Sequence, residues 1–203
     1  MTAAGKDGPS ANRPSRSGRD GTLPADARLV AFLRAINVGG HTVKMDRLRG
    51  LFQEMGFGDV ATFIASGNVI FDAGGAGTAD VESIIERHLF EALGYAVTTF
   101  ARTLDDLAAA AAHTPFERDP EPPGRIYVGF LKHAPDDDAR DVLTGLDSDT
   151  DTFVVHGREL YWLCRTRFSE SRVTGGLLEK TLGMPLTIRN TNTLGRIVAK
   201  YGG

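Results

Sequence analysis

The chain has 203 residues, of which 41% are hydrophobic and 24% charged, and it carries a formal net charge of −3 with a pI near 5.9. This composition is typical of a globular protein. The sequence shows no apolar run that approaches the length of a membrane span, and its start does not resemble a secretory leader. Because Cys164 is the single cysteine, an intrachain disulfide and a thiolate zinc cluster are excluded. We therefore expect a cytoplasmic protein without a membrane partner.

Residues 1–27 are rich in Gly, Ser, Pro and Arg and have no apolar periodicity, which predicts a disordered tail. A first unit is predicted over residues 28–114. Its elements are a strand at Arg28–Ala35, a helix from Met45 to Gly56, strands at Asp59–Ser66 and Asn68–Asp72, a helix from an N-cap at Thr78 to Gly94, a strand at Tyr95–Arg102, and an Ala-rich helix from Thr103 to His113. The order βαββαβ is that of a ferredoxin-like unit, followed here by an extra helix.

Residues 115–123 are Pro-rich and predict a linker, after which the same order returns over residues 124–203. The predicted elements are a strand at Arg125–Lys132, a helix after Pro135–Asp138, hairpin strands at Thr152–Val155 and Glu159–Cys164, a helix at Thr174–Leu182, a strand at Pro185–Arg189 and a closing helix at Thr191–Tyr201. The second unit is therefore also ferredoxin-like.

Turn and cap glycines support an internal duplication. The pairs Gly56 and Gly145, Gly67 and Gly157, and Gly94 and Gly183 are each separated by 89 or 90 residues. Four of these glycines are predicted to end helices with the same capping chemistry. The fold class is thus α+β, with tandem duplicated ferredoxin-like units. The opening strand of each unit carries apolar side chains on both of its faces. The two units are therefore expected to pack together, or the chain to form a homodimer.

A glycine-rich loop between the first strand and the first helix is the first candidate site. It follows Arg34, contains Asn37, Gly39 and Gly40, and places Lys44 at the start of the helix. Backbone N–H groups at such a junction favour bound anions. The loop matches neither a P-loop nor a dinucleotide fingerprint, and a purely structural turn remains the alternative.

The second candidate is the basic C-terminal quarter, which carries a net charge of +5 from His156 to Gly203. Here Arg189 is predicted to line a basic pocket with Arg158 and Lys180, and Asn190, together with Ser66 and Asn68 of the first hairpin, completes the candidate ligand-binding set. An N-cap at Asn190 beside a solvated Arg189 explains the same residues without a ligand.

No residue set predicts a reaction. The five histidines lack metal-ligand spacing, Cys164 lies within a strand, and no triad or acid/base pair is present, so catalytic residues and cofactors stay unassigned and no metal is expected. A small-molecule or phosphate-type anion is the leading ligand. The alternatives are a nucleic-acid-associated module, disfavoured because the RNP1 aromatic pattern is missing, and an interaction or dimerisation domain without a ligand.

Several motifs match one bacterial family. They are Leu33-Arg34-Ala35-Ile36-Asn37-Val38-Gly39-Gly40, Ser66-Gly67-Asn68-Val69, Gly157-Arg158-Glu159-Leu160-Tyr161 and Thr187-Ile188-Arg189-Asn190-Thr191-Asn192-Thr193. On these motifs the chain resembles the uncharacterised domain-of-unknown-function 1697 proteins. It departs from them at Ala35, usually Gly, and at Thr191, where many members have Trp. The resemblance implies an α+β fold with ferredoxin-like halves and supplies no activity.

Overall fold

A computed structural model describes residues 21–37, 40–116 and 124–202. The first half contains β1 (Arg28–Leu33), α1 (Met45–Glu54), β2 (Gly58–Phe63), β3 (Asn68–Asp72), α2 (Thr78–Leu93), β4 (Thr99–Thr103) and α3 (Leu104–Ala112). The second half contains β5 (Arg125–Leu131), α4 (Asp137–Thr144), β6 (Asp151–His156), β7 (Glu159–Cys164), α5 (Gly175–Leu182), β8 (Leu186–Asn190) and α6 (Thr191–Tyr201).

The strands form two antiparallel four-stranded sheets with identical topology. Their orders are β2-β3-β1-β4 and β6-β7-β5-β8, so the first and last strands of each unit lie side by side. Each sheet has its own pair of helices on the outer face. The predicted α+β fold of two ferredoxin-like units is confirmed.

The two sheets pack face to face. Val30 and Phe32 of β1 share one buried cluster with Val128 and Phe130 of β5, and the rings of Phe32 and Phe130 stack with centroids 4.2 Å apart. The opposite faces are covered by α1 and α2 in the first unit and by α4 and α5 in the second. This arrangement explains why the opening strands are apolar on both alternations.

Helix ends follow the predicted chemistry with two corrections. Gly56, Gly94 and Gly183 adopt left-handed conformations, with φ of +83°, +78° and +65°. Gly145 ends α4 but has a φ of −65°, so the prediction that all four glycines share one cap was wrong there. Thr78 is the first residue of α2 rather than its N-cap, because Gly77 holds that position.

The predicted tail falls into two parts. Residues 1–20 lie outside the described residues, as do residues 117–123 of the predicted linker. Residues 21–27 lie against the first unit, where the Leu23 backbone N–H donates to the Gly75 carbonyl at 2.7 Å and the Leu23 side chain packs on the core. The described end of the predicted tail is therefore part of the folded structure.

Candidate functional site

Arg189 is the centre of a polar cluster that joins the two units. It lies on β8 and faces the other sheet, where its guanidinium is 5.6 Å from the centre of the Phe32 ring. All five of its N–H groups donate at 2.7–3.3 Å, to Asn68 Oδ1, Thr187 Oγ1 and the carbonyls of Ile188, Leu33 and Ser66. Burial lowers the pKa of Arg189 to about 10, which leaves it charged at neutral pH. Its donors are used within the protein.

The turn between β2 and β3 supplies two of those acceptors. Gly67 is left-handed with a φ of +72°, and an added Cβ would lie 2.2 Å from Ile36 Cγ2. Asn68 is fully buried and donates to the Phe63 carbonyl and to Ser66 Oγ. Ile64 has a φ of +52°, which is costly for a β-branched residue. The buried side chain of Asn68 therefore stabilises a turn that contains a strained residue.

The β1–α1 loop lies directly against this turn. Ala35, Asn37 and Gly40 have φ of +64°, +56° and +90°. The Asn37 side chain accepts from the Val43 N–H at 2.6 Å and donates to the Ala65 carbonyl at 3.2 Å. Gly39 lies outside the described residues. One amide side chain thus closes the loop on itself and ties it to the turn.

Arg34, at the start of the loop, is held by the second unit. Its Nε and Nη2 donate to the two carboxylate oxygens of Glu179 on α5, at 2.7 and 2.8 Å. Glu179 also accepts from the Leu186 N–H at 3.1 Å. The structure therefore brings Arg34, Asn37, Ser66, Asn68 and Arg189 close together.

A related cluster lies at the equivalent place in the second unit. Arg102 of β4 donates to Glu159 Oε1 at 2.7 Å and to the carbonyls of Leu131 and Arg158, and its guanidinium is 5.3 Å from the centre of the Phe130 ring. Each unit thus sends an arginine from its last strand to the hairpin of the other. Arg158 belongs to this second cluster and not to the one around Arg189.

The remaining predicted site residues lie at the surface or away from the cluster around Arg189. The side chains of Lys44 and Lys180 are exposed and make no hydrogen bond or ion pair with any described residue, and Gly40 has open space around it. Asn190 caps α6 by accepting from the Thr193 N–H, and it lines a separate groove of about 480 Å³ with Arg125 and Asn192. Asn190 therefore has a structural role of its own.

The two units differ in the segments that touch near Arg189. The β1–α1 connection has eleven residues, 34–44, whereas the β5–α4 connection has five, 132–136. The β2–β3 turn has four residues and the β6–β7 turn has two. The α4 helix is capped by the Asp136 side chain, whereas no side chain caps α1. The longer loop thus leads into a helix whose first N–H groups have no side-chain cap.

The described residues offer little catalytic machinery. Among them no group of three or more His, Cys, Asp or Glu is placed to hold a metal ion. Burial raises the pKa of the Cys164 thiol, which disfavours a thiolate. No helix in the described part of the chain is both long and apolar enough to cross a membrane.

Sequence reasoning missed the partners of these arginines. Glu179 and Glu159 lie 145 and 57 residues from Arg34 and Arg102 along the chain. The one available signal was Arg102 itself, the single charged residue of its strand, two positions from Phe100. That alternation places Arg102 on the same buried face as Phe100.

The fold and the two arginine clusters define a duplicated ferredoxin-like protein whose halves are bound to each other by reciprocal contacts. The chain belongs to the family described as protein of unknown function DUF1697, whose model matches residues 27–161. It is similar in fold to the conserved bacterial protein SP0830 from Streptococcus pneumoniae, with a TM-score of 0.65 and 22% identity over 87% of this chain and 99% of that one. No curated protein matches the sequence.

Proposed function

We propose that the protein binds a small anion at the β1–α1 loop, on the surface formed by Gly40, Lys44 and the first N–H groups of α1. The observation that carries the proposal is the meeting of the loop, the 64–67 turn and Arg189 in one place. A cation at the positive end of a helix is unfavourable on its own, and a bound anion relieves that cost. The cytoplasmic location expected from the sequence stays part of this proposal.

The cluster below the surface supports the proposal by holding the loop in shape. Arg189, Asn68 and Asn37 fix the turn and the loop through hydrogen bonds, and none of the five Arg189 donors is left for a ligand. Preorganised backbone donors lose less entropy when a ligand binds. In this proposal Arg189 positions the site, Lys44 contacts the anion, and Lys180 is a further exposed cation of the basic C-terminal quarter.

No observation favours a second function. Ferredoxin-like modules that bind RNA use the open face of the sheet, on which bases stack against aromatic side chains. Here that face is buried between the two units, where Phe32 stacks on Phe130. The same packing covers the apolar faces that had pointed to a homodimer.

Thermal shift and calorimetric titration at low salt would test the proposal, with inorganic phosphate, AMP and malonate as probes. We expect at least one probe to stabilise the protein, and Lys44→Ala to weaken its binding about threefold to tenfold, since one exposed charge contact is removed. Arg87→Ala is the matched control, because Arg87 is an exposed cation on α2 without a described partner. The proposal fails if no probe binds, or if both variants bind as wild type does.

A further inference from the structure

Three donors from two elements converge on the carboxylate of Glu179. Oε1 accepts from Arg34 Nε at 2.7 Å and from the Leu186 N–H at 3.1 Å, and Oε2 accepts from Arg34 Nη2 at 2.8 Å. The planar edge of a guanidinium matches the two oxygens of a carboxylate, so Arg34 and the Leu186 N–H together form a binding site for a carboxylate group. It is filled by a side chain of the protein itself, at the entry to the β1–α1 loop.

The equivalent cation in the other unit is less exposed. There Lys132 pairs with Glu82 and Glu86 of α2, and Glu86 accepts from the Thr99 N–H as Glu179 does from Leu186. The Lys132 side chain is 19% exposed, and those of its partners Glu82 and Glu86 are 3% and 37% exposed. The side chains of Arg34 and Glu179 are 40% and 22% exposed. Water, and therefore a dissolved ligand, reaches the Arg34 guanidinium more readily than the Lys132 ammonium.

We propose that the anion site takes a carboxylate, and that Glu179 is an intramolecular competitor for Arg34. In the exchange, the Glu179 carboxylate turns to solvent and the carboxylate of the ligand accepts from the same three donors. No covalent bond changes and the charge at Arg34 stays balanced. The inference rests on the proposed function, since Arg34 begins the loop that ends at Lys44 and α1, and it names the class of ligand. It also couples binding to the contact between the units, because the Arg34–Glu179 pair joins them.

The test compares malonate with inorganic phosphate by calorimetry on the full chain. Glu179→Gln keeps the shape and the acceptor for Leu186 but releases Arg34, and we expect it to bind malonate about fivefold more tightly, the effect of removing one exposed ion pair. Glu86→Gln is the matched control, since it removes the same charge at the equivalent place and is expected to bind malonate as wild type does. Adding Arg34→Ala to Glu179→Gln is expected to abolish the gain.

Each outcome discriminates. Wild-type binding of malonate with no gain in Glu179→Gln overturns the competitor and leaves the proposed function standing. A gain for phosphate alone overturns the carboxylate assignment. Absence of binding by either probe to every variant overturns the inference and the proposed function together. Should Glu179→Gln not fold, Glu179→Asp replaces it, because the shorter side chain keeps the charge and withdraws it from Arg34, with the same expected gain.

Discussion

Truncation of Arg189 to alanine should destabilise the protein severely, because it leaves the side-chain oxygen of the buried Asn68 and the Leu33 carbonyl without their donor. Asn68 Oδ1 and the Leu33 and Ser66 carbonyls receive hydrogen bonds from Arg189, and its guanidinium lies over the Phe32 ring. A hydrogen bond to a charged group contributes about 1.5–3 kcal/mol, so the loss of two part-buried ones, to Asn68 Oδ1 and the Leu33 carbonyl, costs about 3 kcal/mol or more.

We therefore expect a loss of about 3–5 kcal/mol in the free energy of unfolding for Arg189→Ala. For a chain of this length each kcal/mol lowers Tm by about 2–4 °C, so the midpoint should fall by roughly 6–20 °C. Arg189→Lys should lose about 2–3 kcal/mol, since an ammonium has three donors and no planar fork. Arg172→Ala, which removes an exposed arginine without a described partner, should stay within about 0.5 kcal/mol of wild type.

Urea unfolding followed by two probes is the assay. Trp162 is the single tryptophan and is buried in the second unit, so its fluorescence reports that unit, whereas far-UV circular dichroism reports both. We expect the two transitions to coincide in wild type, because the arginines bind each unit to the other. A loss below about 1 kcal/mol for Arg189→Ala would refute the reasoning, since it would mean that water satisfies the acceptors.

Two further changes are predicted from single residues. Ala35→Gly should stabilise the protein by about 0.5–1 kcal/mol in urea unfolding. The left-handed conformation of Ala35 costs about 1–2 kcal/mol, and glycine removes this cost while it raises the entropy of the unfolded chain by a smaller amount of free energy. A destabilised variant would contradict this prediction. His113 lies 4.7 Å from the ring of His156, and burial, followed by the charge of that ring, lowers the pKa of His113. The neutral form is favoured by folding, so its contribution to stability is present above about pH 6.5 and is lost as the pH falls through the folded pKa. His113→Gln should show a smaller loss of stability than wild type between about pH 7 and pH 5, and equal losses would refute the assignment.

Local chemistry accounts for the part of the fold that the sequence predicts. Thr103 accepts from the Asp106 N–H and Asn190 from the Thr193 N–H, as N-caps do, and such contacts depend only on near neighbours. The prediction of Thr78 as the N-cap of α2 is wrong because Gly77, one residue earlier, also adopts the extended conformation of an N-cap. The prediction of a left-handed cap at Gly145 is wrong because a helix can also end at a glycine in the right-handed conformation when the chain continues in a turn.

The candidate site is predicted only in part, for a physical reason. The nearness of Arg34, Asn37, Ser66 and Asn68 follows from the strand order of one unit, which the sequence indicates. The environment of Arg189 depends on how two sheets pack, and neither interpretation from sequence, a solvated cap neighbour or a ligand contact, includes its five hydrogen bonds within the protein. Long-range partners such as Glu179 leave no periodic signal in the chain.

A titration followed residue by residue in a ¹H–¹⁵N spectrum tests the central claim most directly. Malonate and inorganic phosphate would be added to the full chain at low salt, and the backbone amides would report where each anion binds. The account predicts saturable shifts at Gly40 and at the first amides of α1, Met45 to Arg47. Shifts confined to the groove at Asn190–Asn192, or no saturable shift anywhere, would contradict it.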